Sequence, residues 1–162
     1  MGTPVLTFSA AAPTAIAALL RRYGLTLVTL ADDTPIPGSY WGEPEAGIIA
    51  ENVYVRADTP VHSLLHEACH LIVAASERRG HIHTNASDSQ AEEDAACYLQ
   101  ILLADALPGV GHERIMADMD AWGYSFRLGS ARAWFEADAE DARAWLIARD
   151  LLPALAHDAR ER

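Results

Sequence analysis

The chain has 162 residues, about half of them apolar, enough for one compact domain with a core of its own and too hydrophobic for general disorder. Twenty-three acidic residues stand against 12 basic ones, all arginine, for a formal charge of −11. No basic stripe exists to neutralise phosphates, so nucleic-acid binding is not expected, nor is an anionic membrane surface.

In chain order, Ala15 to Tyr23 places apolar residues at helical spacing and meets Gly24, a helix stop. Leu25 to Leu30 alternates as a strand. Prolines and glycines from Pro35 to Pro44 mark irregular chain, and Gly47 to Ala50 and Asn52 to Arg56 read as two short strands joined near Glu51. Thr59 is placed to cap a helix with Pro60 in its first position, and that helix should run to Glu77, Arg78 and Arg79 before Gly80. Ser87 with Gln90 offers a capping box for a second long helix ending before Pro108. From about residue 110 to 156 the chain reads as helical, with a break from Gly123 to Gly129 and fraying expected from His157. Trp122, Trp134 and Trp145 fall in helical segments and read as core, and the acidic run Glu136 to Asp141 as a solvated helix junction.

Ala10 to Leu20 is apolar, but Arg21 and Arg22 follow it where a leader peptide carries its charge first. No uninterrupted apolar run reaches the roughly 18 residues of a membrane span. Cys69 and Cys97 lie within apolar helical patterns and form no disulfide framework. A reduced, cytoplasmic setting without membrane contact is the expectation.

The chemistry concentrates in His66-Glu67-Ala68-Cys69-His70, an HExxH. Residues four apart on a helix share a face, so His66 and His70 can offer two imidazoles to one metal. Glu67 lies about 100° around the helix, placed to contact a water on the metal without ligating. That is the layout of zinc-assisted hydrolysis, in which the cation acidifies a water and a carboxylate takes its proton. One HExxH arises by chance in such a composition with a probability of roughly 2%, so a third ligand must carry the case. On the second helix, Glu92 shares its face with Ala95, Ala96, Leu99, Leu103 and Ala106, whereas Glu93 points with Cys97 and Gln100 toward a more polar flank. A carboxylate inside an apolar stripe needs a cation, which favours Glu92 as the metal ligand. The competing role for Glu92 is at a helix start capped by Ser89. His81 and His83 are rival ligands in the loop after Gly80. His62 is eight residues from His70, about 12 Å along the axis, and suits a supporting place at the rim. Cys69 needs no role beyond packing. Tyr124, with His83 and His112 as rivals, is a candidate donor to a developing oxyanion.

Strands over Gly47 to Arg56, HExxH on a helix, then Glu92-x-x-Ala95-x-x-Tyr98 on the next helix resemble the zincin-like (gluzincin) metallopeptidases, and among them the compact ImmA/IrrE-type family with its HExxH and E-x-x-A-N-x-F-A. The resemblance covers roughly residues 45 to 108. It departs from the family at Cys69, where Gly is usual, at Ala96 in place of Asn, at Tyr98, and at Pro108, which comes about one turn late. It implies an α+β zincin-like domain over residues 1–162: an N-terminal helix and small sheet, the HExxH helix, a second ligand-bearing helix and a helical C-terminal part. It further implies zinc on His66, His70 and Glu92, Glu67 as general base, and a peptide or protein substrate, with a transcriptional regulator as the family's suggestion. The alternative is a metal-containing regulatory module that binds a protein partner without turnover.

Overall fold

A computed structural model describes residues 5–39, 42–74 and 89–151. Helix α1 (Pro13–Arg21) begins on a proline, whose missing N–H would be unpaired in a first turn anyway, and buries Ile16, Leu19 and Leu20 on one face. It ends where Gly24, at φ +78°, takes a left-handed conformation. Strands β1 (Thr26–Thr29), β2 (Gly47–Ile49) and β3 (Asn52–Val55) form one sheet in the order β1-β3-β2, with β3 parallel to β1 and antiparallel to β2. The strand read from Asn52 to Arg56 is the central one, with both edges already hydrogen-bonded, so it offers no free edge to an extended peptide.

Gly47 holds β2 against the preceding loop. A Cβ there would stand 1.9 Å from the Pro37 carbonyl oxygen, so only glycine permits this approach. Beside it, the Ala46 N–H donates to Ser63 Oγ at 2.9 Å, tying the start of the strand, and with it Glu45, to the next helix.

Helix α2 (Val61–Val73) carries the HExxH and buries every residue except His66, which is partly exposed. It starts one residue later than the sequence suggested. Pro60 is the cap residue, at φ −64° and ψ 140°, and Thr59 Oγ1 instead accepts from the Arg56 N–H at 2.9 Å, closing the turn out of β3. It also stops earlier, at Val73: Ala74 leaves the helical region at ψ 144°, where the run of large apolar side chains ends. The expected extension to Arg79 lies outside the described residues. Helix α3 (Gln90–Ala104) is capped by Ser89, whose Oγ accepts from the Glu92 N–H at 3.2 Å; the rival cap Ser87 is outside the described residues.

Helices α2 and α3 form the most extensive contact between elements. Ala68, Ala95 and Ala96 have no exposed surface, and small side chains let helix backbones approach closely. Helices α4 (Gly111–Trp122), α5 (Ala131–Ala137) and α6 (Glu140–Ala148) complete the described chain, with α4 and α6 packed on α3. The break after Trp122 is as expected: Gly123 terminates α4 at φ +108°, and Ser130 caps α5 by accepting from the Ala133 N–H. Buried residues from Phe8 to Leu146 form one continuous cluster, and the fold is a mixed α+β one, with six α-helices and a three-stranded sheet among the described residues. No helix among the described residues is long and apolar enough to cross a membrane.

Candidate metal centre

The one-turn spacing on α2 puts His66 Nε2 and His70 Nε2 3.1 Å apart. Facing them, the carboxylate of Glu93 in the first turn of α3 spans both rings, with Oε2 3.0 Å from His66 Nε2 and Oε1 3.0 Å from His70 Nε2. At zinc–ligand bonds of about 2.0–2.1 Å and tetrahedral angles, ligand atoms stand about 3.3 Å apart. The two gaps to the carboxylate end on different oxygens, and with one oxygen chosen the three donor atoms all lie within 4.8 Å of one another, close enough to share one small ion. Among the described residues this His–His–Glu group is the cluster able to hold a metal ion.

The third member is therefore Glu93 and not Glu92. The apolar-stripe argument identified the face of α3 that enters the core, and Glu92 is indeed buried there, with its backbone N–H on the Ser89 cap. The face that meets the histidines is the other one. Glu93, Cys97 and Gln100 recur at i, i+4 and i+7, a polar row that continues into the otherwise apolar second half of the helix, and this row lies against the polar row of α2. Cys97 Sγ is 4.0 Å from His66 Nδ1, and Gln100 Oε1 is 2.7 Å from the same nitrogen. The usable signal was that pairing of rows; the E-x-x-A spacing is met equally by Glu93 with Ala96.

Gln100 also sets the protonation of His66. Its Nε2 donates to the His62 carbonyl at 3.0 Å, and a carbonyl can only accept, so the amide oxygen must face His66. His66 then donates from Nδ1 and turns Nε2 to Glu93, where a bound metal would take the place of the Nε2 proton, as in ligating histidines with an outer hydrogen-bond partner. Glu93 lies well below the usual carboxylate range: burial alone would raise it, but hydrogen bonds from His66 and His70 prevail. Glu67 is shifted upward by burial, partly offset by the two histidines, and its carboxylate lines the same cavity without a hydrogen-bond partner among the described residues.

The cavity has a volume of about 750 Å³. The 123–129 segment forms one wall, bringing in Tyr124, whose ring meets His66 edge-on at 5.6 Å between centroids and whose hydroxyl is 3.1 Å from His62 Nδ1. Burial pushes the Tyr124 phenol up, so the hydroxyl keeps its proton. Of its rivals, His112 pairs with Asp105 at 2.9 Å and does not line the cavity. His81 and His83 lie outside the described residues. Cys69 is wholly buried and its thiol is pushed up by burial, consistent with packing alone. Among the lining residues to which the sequence reading gave no part in the site are Cys97 and Trp122, which is 40% exposed and donates from Nε1 to Glu45 Oε2 at 2.9 Å instead of joining the core.

His62 is fully buried between Trp122 and Tyr124, with Nε2 unpartnered among the described residues, and burial, aided by the charge on His66, pushes its pKa down to about 3. In the unfolded chain it returns to about 6.5. Between these values the unfolded state binds the extra proton, so stability is complete above pH 6.5 and is lost as pH falls toward 3. Urea unfolding at pH 4 to 7 should show His62→Phe losing less stability on acidification than the unaltered chain, by up to about 1.4 kcal/mol per pH unit. Parallel pH profiles in the two chains would remove His62 as the cause.

Comparison with protein-family models, with curated proteins and with solved structures finds no match for this chain. Its chemistry must be read from the site itself.

Proposed function

We propose that the chain is a zinc-dependent peptidase of the zincin-like (gluzincin) type, similar to the compact ImmA/IrrE-type family. The observation that carries this is the closure of His66, His70 and Glu93 to within 3.0–3.1 Å beside an open cavity into which Glu67 projects. Mixed imidazole and carboxylate donors suit zinc. When bound, zinc would lower the pKa of a water toward 7 and polarise a peptide carbonyl. Glu67, raised by burial, is suited to accept a proton from the attacking water and return it to the departing amine. The Tyr124 hydroxyl, protonated and on the cavity wall, is a donor for the carbonyl oxygen as it gains charge. His62 positions that hydroxyl through the Nδ1 contact.

The substrate is a peptide or an exposed segment of a protein, and the family resemblance suggests a transcriptional regulator acted on in the cytoplasm. Incubation of zinc-loaded protein with a mixture of unstructured peptides, followed by mass spectrometry of new termini, tests the activity. Cleavage should stop on chelation and return with zinc. Absence of new termini across the whole mixture would overturn the proposal.

A further inference from the structure

Beyond the metal group, the described residues lining the cavity include more carboxylates than cations. Among the described residues Asp94 accepts from Gln90 Nε2, at 2.8 Å, a neutral donor. Glu45 accepts from Trp122 Nε1 and from Ser63 Oγ, again neutral donors. Among the described lining residues Arg127 is the one Lys or Arg, and it is bonded to Asp138, with Nε 2.9 Å from Oδ2. Asp141, on the first turn of α6, adds a further carboxylate facing that pair. Among the described residues Arg127 is bonded to Asp138 and shared at longer range with Asp141, so the lining carboxylates of Glu45 and Asp94 have no cationic partner there and Asp141 only a shared one.

Two independent features mark this as a place for a ligand. Glu67 is 91% buried (9% exposed), lines the cavity and has no hydrogen-bond partner among the described residues. The wall between the carboxylates is aromatic: Trp122, Tyr124, Phe126 and Trp134 all line it, with Phe126 tilted over Trp134 at 5.2 Å. Aromatic faces bordered by carboxylates attract the aliphatic stem and charged head of a lysine or arginine, and a concave acidic wall focuses its field on a cation.

We infer that the cleft selects peptides carrying Lys or Arg next to the bond presented to the metal group, with Asp94 and Asp141 as the acceptors of the cationic side chain. This rests on the peptidase reading for the word peptide, but the charge preference is separable from turnover. Zinc-loaded Glu67→Gln protein would be titrated with four peptides identical except for Lys, Arg, norleucine or Glu at one position, followed by tryptophan fluorescence. The cationic pair should bind about tenfold more tightly than norleucine, with the advantage shrinking as salt rises from about 50 to about 300 mM. Asp94→Asn and Asp141→Asn should each cut that advantage about threefold, while Glu51→Gln, an exposed hairpin carboxylate away from the cavity, should leave it intact. Equal binding of all four peptides, no binding of any, or a preference indifferent to both Asp substitutions overturns the inference. The same peptides given to the unaltered chain separate the two proposals. Cleavage without charge preference removes this inference alone, and cationic binding without cleavage removes the peptidase reading alone.

Discussion

Glu93→Ala should empty the metal centre, and Glu92→Ala should leave it loaded. Protein purified without a metal-affinity tag and supplied with zinc should hold close to one equivalent in the unaltered chain. Loss of even an outer partner of a metal ligand weakens affinity about 10- to 100-fold, so loss of Glu93, whose two oxygens each stand 3.0 Å from a histidine Nε2, should cost at least that and leave under about one-tenth of an equivalent. Competition with a chromophoric chelator gives the affinities, and elemental analysis the stoichiometry. Because a ligand that binds only the folded state raises its stability by mass action, zinc should lift the melting temperature of the unaltered chain and of Glu92→Ala but not of Glu93→Ala. The reverse pattern would assign the third place to Glu92. The same experiment bears on the fold: without an ion the site holds two imidazoles and a carboxylate in a partly buried hydrogen-bonded group, and removing the carboxylate leaves His70 Nε2 facing His66 alone, at a cost in stability.

Glu67→Gln should separate metal binding from chemistry. The amide keeps the shape of the side chain and cannot take a proton at neutral pH, so zinc content should stay at one equivalent while peptide cleavage falls by about 10²- to 10⁴-fold. Stability should move the other way. Burial raises the Glu67 pKa, which means the folded state disfavours its charge, and the penalty is present above the folded pKa and relieved as pH falls. A neutral isostere escapes that penalty, so the melting temperature at pH 7 should be unchanged or higher. An inactive but more stable protein is the signature of a residue retained for chemistry. Undiminished cleavage by Glu67→Gln would displace it from the role of base. Undiminished function in cells, with cleavage lost, would favour a metal-containing regulatory module over a peptidase.

Much of this architecture is legible in the amino-acid sequence, because it depends on local periodicity. The four-residue interval between His66 and His70 imposes a shared helix face wherever α2 packs, and Gly24, Gly123 and Ser130 end or begin helices through their own conformational and hydrogen-bonding preferences. The alternation in Asn52 to Val55 marks a strand in the same way.

Periodicity describes an element relative to its own axis and is silent about what each face meets. It gave Glu92 the burial that the structure bears out, but it could not tell that α2 would lie against the Glu93–Cys97–Gln100 row, since that depends on how two helices approach through their small residues. Strand order has the same character: Asn52 to Val55 reads identically at an edge or in the centre, and only its pairing with both β1 and β2 closes it to a peptide. Trp122 looked like core by helix position and instead reaches the cavity, because Gly123 ends α4 there and turns the chain toward α2. The amino-acid order by itself determined which groups were available for chemistry on each helix and strand; tertiary packing decided which of them meet, because burial and close approach are properties of pairs of surfaces and not of one chain segment.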